Sequence, residues 1–190
     1  MRFSSLVYVC TALLALNPLV ALASPVLETR ADGISQAVFD DLVRYTKYSS
    51  AVYEWICPNP LGNKLVQKFN NVGTQGFVVR DDQRKEIVVA FRGTLEVIDV
   101  LVDLQFILTP LKSTGINAVG DAHVHSGFLF AYNIVANDVL SIVKGQVAAY
   151  PNYSLVVTGH SLGGATASIA ALSIRAAHPS LPIKLYTYGA

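Results

Sequence analysis

Apolar residues recur along the chain in blocks whose period changes, and each change marks an element. From Ile34 to Trp55 they fall at Val38, Leu42, Tyr45, Val52 and Trp55, a helical spacing with Ser35 placed to cap its start. Gly76 to Arg80 and Glu86 to Phe91 are β-rich runs, and the polar Asp81–Lys85 between them predicts a hairpin. Further on, Glu96, Asp99 and Asp103 line one helical face while Val97, Val100, Leu101, Leu104 and Leu108 line the other. That pattern predicts an amphipathic helix of about three or four turns, bounded by Pro110. Gly127 to Tyr150 returns to helical spacing and stops at Pro151, and Ser154–Thr158 is a short β-branched strand followed by Gly159. Leu162 to His178, rich in alanine and leucine, predicts a helix ended before Pro179, and Lys184 to Tyr188 a last strand. Strands alternating with helices predict an α/β domain built on one sheet.

The amino terminus follows a different rule. Arg2 precedes an uncharged apolar stretch from Phe3 to Ala23, which closes on Ala21-Leu22-Ala23 before Ser24-Pro25. A run of that length could anchor the chain in a bilayer, but Asn17-Pro18 interrupts it and the small residues fit a signal-peptidase site after Ala23. Residues 1–23 are therefore expected to be a cleaved secretory signal, 24–33 a polar leader or pro-segment, and 34–190 the domain. With the signal gone, no membrane-spanning segment is expected in the mature chain, whose location would be extracellular.

Composition narrows the class. Of 190 residues, 52% are hydrophobic and 14% charged, against roughly 25% charged in an average soluble domain, which excludes disorder. A formal net charge of +1 supplies no basic field, and nucleic acid is not an expected partner. Two cysteines and four histidines leave little for a metal site, so neither metal nor cofactor is expected. Loss of the signal would remove Cys10 and leave Cys57 either bonded to a partner elsewhere or buried as a thiol. Asn152-Tyr153-Ser154 is an N-glycosylation sequon.

The chemistry concentrates where a strand gives way to a helix. Gly159-His160-Ser161-Leu162-Gly163 matches G-x-S-x-G between a predicted strand and a predicted helix. A serine there stands on a sharp turn above the strand ends, and glycines flank it because a Cβ at either place would strike the neighbouring backbone. Ser161 is the candidate nucleophile. The Leu162 N–H, at the new helix's start, is a natural oxyanion donor. His160 is adjacent in sequence but points elsewhere on a tight turn, and is expected to be a buried structural histidine. Phe91-Arg92-Gly93-Thr94 follows another strand directly, and Thr94 could present its N–H and hydroxyl to the same oxyanion.

Taken together, Y-S-S-A-V-Y at 48–53, F-R-G-T at 91–94, D-V-L-V-D-L-Q-F at 99–106, V-H-S-G-F at 124–128, V-T-G-H-S-L-G-G at 157–164 and Y-T-Y-G-A at 186–190 resemble the secreted fungal class 3 lipases. The resemblance implies an α/β-hydrolase-type central sheet with helices on both faces. It implies Ser161 as nucleophile, with Thr94 and the Leu162 N–H as oxyanion hole, and a lid within Leu95–Pro110 that turns its apolar face outward at a lipid–water interface. Lipid or other ester substrates would follow. Related feruloyl esterases carry a more polar lid, so the apolar one favours lipids; a feruloyl-esterase-like carboxylesterase and a non-catalytic secreted lipid-binding fragment are the alternatives. Two departures stand out: family lids usually carry tryptophan where Val100 stands, and the first cysteine usually follows the matched tyrosine immediately.

In this fold the triad runs Ser, then Asp or Glu, then His along the chain. Residues 162–190 contain no Asp or Glu, and their single histidine is His178 at a predicted helix end. His123 and His125 precede the serine. The expectation is a domain whose C-terminal part is missing, and 190 residues that hydrolyse esters poorly by themselves.

Overall fold

The computed structural model describes residues 33–54, 56–93, 107–116 and 121–190. The expected signal, most of the leader, Trp55, Thr94 and the greater part of the expected lid lie outside the described residues.

A five-stranded sheet forms the centre, built from β1 (Lys64–Asn71), β2 (Thr74–Asp81), β3 (Glu86–Phe91), β6 (Ser154–His160) and β7 (Ile183–Tyr188), in that spatial order. β1, β2 and β3 are antiparallel neighbours, whereas β3, β6 and β7 run parallel. Every residue of β3 is buried, as suits a central strand covered on both faces. Alternation along the strands sorts their side chains to two cores. Val79, Val88, Ala90 and Val156 meet Tyr45 and Tyr48 of α1 (Gln36–Ala51). Val78, Val89, Phe91, Leu155 and Val157 meet α2 (Ser126–Ala149) and α3 (Leu162–Ala177) on the opposite face. Helices thus cover both faces, as expected. α2 is long and apolar enough by composition to cross a membrane, yet Leu129, Tyr132, Val135, Val139 and Val143 place a buried stripe of it in the core. Cys57 is buried beside Tyr45 and Tyr48 and is not a free thiol.

Local chemistry fixes the element ends. The Ser35 hydroxyl accepts the Val38 N–H at 3.3 Å, capping α1 as its sequence predicts. In the β2–β3 turn, Asp81 Oδ1 accepts the N–H groups of Gln83 and Arg84 at 3.1 and 3.0 Å. The expected helix does not run to Pro110. Leu108–Pro110 is instead a strand, β4, paired antiparallel with β5 (His123–His125), and Ile107 accepts the Ser126 N–H at 2.9 Å. A partner strand overrides the helical period at that end of the segment. β1 also escapes sequence reading, because a bulge between Leu65 and Gln67 breaks its alternation. It is an edge strand with Phe69 its single buried residue, joined to β2 through Val72 and Gly73 with φ of 42° and 83°.

An ionic network ties the sheet's N-terminal end to α1. Tyr45 donates to Glu86 at 2.8 Å, and burial together with that carboxylate raises the phenol's pKa, so it stays protonated and donating. Arg44 pairs with Asp81. Asp41 receives Arg84 at 2.6 Å and the Tyr186 hydroxyl at 3.1 Å, with Lys184 at 3.4 Å. Burial pushes the Asp41 carboxyl up, but Tyr186, Arg84 and Lys184 outweigh it and hold the group below its ordinary value. A carboxyl lowered on folding contributes stability at pH values above its unfolded pKa and loses that contribution as pH falls through the folded value. Asp41→Asn is therefore expected to melt below the wild type at pH 7, the gap closing as pH falls below about 4. Melting curves across that range check this, and a gap unchanged at pH 3 would assign the effect to packing.

Candidate active site

The sheet's C-terminal end is where the sequence-predicted residues meet. β6 ends at His160, Ser161 is the N-cap of α3, and Leu162 is the helix's first residue. Ser161 has φ 55° and ψ −129°, a conformation that costs a non-glycine residue on the order of 1–3 kcal/mol. Both sides of the residue hold it there. Its N–H donates to Tyr188 of the adjacent parallel strand at 2.9 Å, and its carbonyl accepts from Gly164 and Ala165 at 2.8 and 3.2 Å. Its half-buried side chain makes no capping hydrogen bond, which leaves the hydroxyl available. The Leu162 N–H, at a helix start where donors go unpaired, has no partner among the described residues.

Close backbone contact explains the flanking glycines. A Cβ on Gly159 would sit 2.3 Å from the Gly163 carbonyl oxygen, and one on Gly163 would sit 2.4 Å from that of Phe91. Gly163 thus lets α3 press directly on the end of β3, and β3 leads into the F-R-G-T turn. A Cβ on Gly93 would lie 2.7 Å from the His160 carbonyl oxygen and 3.4 Å from Ser161 Cβ. The turn that precedes Thr94 therefore packs against the serine, although Thr94 itself is outside the described residues.

Tyr53, just past the end of α1, joins these pieces. Its hydroxyl oxygen accepts the Gly93 N–H at 3.1 Å and lies 3.2 Å from His160 Nδ1. The phenolic O–H can donate to Nδ1 or the phenol oxygen accept from it, according to the His160 tautomer. Burial raises the Tyr53 pKa against the opposing pull of the Gly93 N–H and the Arg92 guanidinium, the latter 5.7 Å from the ring centroid. Arg92 is itself held by the Gln75 side chain. Sequence reading gave Tyr53 no role, because no local pattern states which residue of a helix end will reach a turn 40 positions away.

His160 corrects an expectation: it is hydrogen-bonded but exposed. Strand alternation puts it on the α1 side with Thr158, whose hydroxyl meets Ser49 at 2.9 Å. α1 ends at Ala51, so past Thr158 the helix no longer covers the strand. The other histidines are committed elsewhere. His123 Nδ1 bonds the Asp121 carbonyl at 2.7 Å, His125 Nδ1 accepts the Gly127 N–H at 3.1 Å as the cap of α2, and His178 is the C-cap of α3.

A family described as Lipase (class 3) matches residues 88–190, from within β3 through the elbow to β7. The chain belongs to the class 3 lipase family. A secreted alkaline triacylglycerol lipase of Penicillium cyclopium is 32% identical over 156 residues, 81% of this chain and 54% of that protein. A lipase of Rhizopus niveus is 37% identical over 131 residues, 66% of this chain and 32% of that protein. The chain thus spans from about a third to about a half of the length of these relatives. Among solved structures, a triacylglycerol lipase from Penicillium expansum superposes with a TM-score of 0.75 at 30% identity, covering 78% of this chain and 59% of that one. A Rhizomucor miehei triacylglyceride lipase gives 0.72 at 29% identity, covering 81% and 62%. The sheet and its helices are those of an α/β-hydrolase.

Two outcomes test this class 3 lipase elbow. Ser161→Gly removes the strain and Ser161→Ala keeps it, so the glycine variant is expected to melt higher, by the equivalent of about 1 kcal/mol after glycine's own entropic cost. Tyr53→Phe retains the ring but strips Gly93 of its acceptor. A loss of about 1 kcal/mol is expected, with faster amide exchange at Gly93 read by NMR.

Proposed function

We propose that Ser161 is the nucleophile of a secreted carboxylic ester hydrolase acting on glycerol esters. The observation that carries this reading is the strained serine on its strand–helix elbow, with the Gly93 turn packed against it and its hydroxyl without a hydrogen bond among the described residues. Ser161 Oγ attacks the ester carbonyl carbon, and the carbonyl oxygen becomes an oxyanion beside the Leu162 N–H and, in this reading, Thr94. The alcohol leaves as the acyl-serine forms, and water then releases the fatty acid. The hydroxyl needs a general base, which residues 162–190 do not supply by the Ser, Asp, His order: they hold no carboxylate side chain, and His178 caps the far end of α3. Residues 1–23 are read as the signal, 24–33 as the leader, and Leu95–Pro110 as containing the lid.

Lipid is favoured over soluble esters by what surrounds the elbow. Ala149 at the end of α2 is followed closely by Ser154 at the start of β6, so the start of α2 lies at the same end of the sheet as Ser161. There Ile107, Leu108 and Phe130 are 55%, 66% and 63% exposed, large apolar groups suited to a lipid surface. Among the relatives, a Fusarium solani protein is described as a secreted mono- and diacylglycerol lipase.

The native secreted protein, which must supply the general base that residues 162–190 lack, is expected to react with a fluorophosphonate at Ser161, and its Ser161→Ala variant to remain unlabelled. No labelling of the wild type would overturn the enzyme in favour of a lipid-binding protein. Emulsified long-chain glycerol esters are expected to be hydrolysed faster than soluble feruloyl esters; the reverse order would move the chain to the feruloyl esterases.

A further inference from the structure

The link between α2 and β6 carries the sequon Asn152-Tyr153-Ser154, and ester chemistry at the opposite end of the sheet gives it no role. Tyr153 donates its N–H to the Tyr150 carbonyl at 3.0 Å, closing a turn with Pro151 and Asn152 at its tip. Asn152 is exposed, and its amide makes no hydrogen bond among the described residues. Tyr150 and Tyr153, on either side of it in sequence, pack ring on ring with centroids 5.1 Å apart. Both are anchored from the β2–β3 hairpin. The Arg80 guanidinium lies 4.1 Å over the Tyr150 ring and grips Asp82 through two nitrogens at 2.6 and 3.0 Å, and Asp82 accepts the Tyr153 hydroxyl at 2.9 Å. The tip is thus an anchored turn that holds Asn152 exposed to solvent.

We propose that Asn152 carries an N-linked oligosaccharide. The proposal rests on the secretory route of the reading above and not on its ester chemistry. In the reaction, Asn152 Nδ2 bonds to the anomeric carbon of an oligosaccharide carried on a polyisoprenyl pyrophosphate. The anomeric C–O bond breaks, the lipid pyrophosphate leaves, and Nδ2 gives up one proton to the transferase. β6 runs from Ser154 to His160 between this turn and the elbow, a span of about 20 Å. A large hydrophilic group at that distance leaves the apolar end free to meet a lipid surface.

The test is expression of the full chain with its own N-terminus in a yeast secretory host, with both medium and cells analysed. Oligosaccharide is attached before folding is complete, so a misfolded, retained product reports it as well. Peptide-N-glycosidase digestion in heavy-oxygen water is expected to convert Asn152 to isotope-labelled Asp and to lower the apparent mass. Asn152→Gln and Ser154→Ala should abolish both signals, and Ser154→Thr should raise occupancy. A product that has lost residues 1–23 yet carries unmodified Asn152 overturns the proposal while leaving secretion intact. A product that keeps residues 1–23 and lacks the oligosaccharide overturns the secretory route and this proposal with it.

Discussion

Two stretches of backbone approach so closely at the end of the sheet that a Cβ cannot stand between them. Gly163 lies against the Phe91 carbonyl, Gly159 against the Gly163 carbonyl, and Gly93 against that of His160. This contact sets the angle at which α3 leaves β6, and that angle forces Ser161 to a φ of 55°. It also presses the β3 turn onto the serine. One steric fact thereby produces the strain, the uncapped hydroxyl and the neighbouring turn together, and larger residues would undo all three.

The two ends of the sheet serve opposite purposes. At the N-terminal end, ion pairs and buried tyrosines lock Asp41, Arg84, Glu86 and Tyr186 into one network. At the C-terminal end, conformational strain is retained and apolar side chains face solvent. α1 spans both ends, with Asp41 in the network and Tyr53 following its last turn into the elbow. The bonded end holds the fold together, which lets the strained end persist.

Much of the fold was legible because period and capping speak locally. Ser35 and the spacing through Leu42, Tyr45 and Val52 foretold α1, and the β-rich runs on either side of Asp81–Lys85 foretold the β2–β3 hairpin. The G-x-S-x-G turn between strand and helix foretold the elbow and its glycine contacts. What was illegible depends on partners. Leu108 has a helical spacing with Leu104 but joins β5, and the polar, bulged β1 is a strand because β2 offers it hydrogen bonds. His160 is exposed because α1 stops short of it. Tyr53 stood in a motif without a function, since its meaning lies in Gly93 and His160, neither of them near it in sequence.

The Tyr53 hydroxyl closes loops of 40 and 107 residues with its two partners. Contacts of such separation form only after the intervening chain has ordered, because loop closure costs entropy that local structure does not refund. A nascent chain can therefore wind α3, a local structure, before Tyr53 reaches the Gly93 turn. The arrangement around Ser161 is completed by the docking of α1, the segment nearest the start of the domain. Until then the serine has strain without the turn and the tyrosine that pack around it.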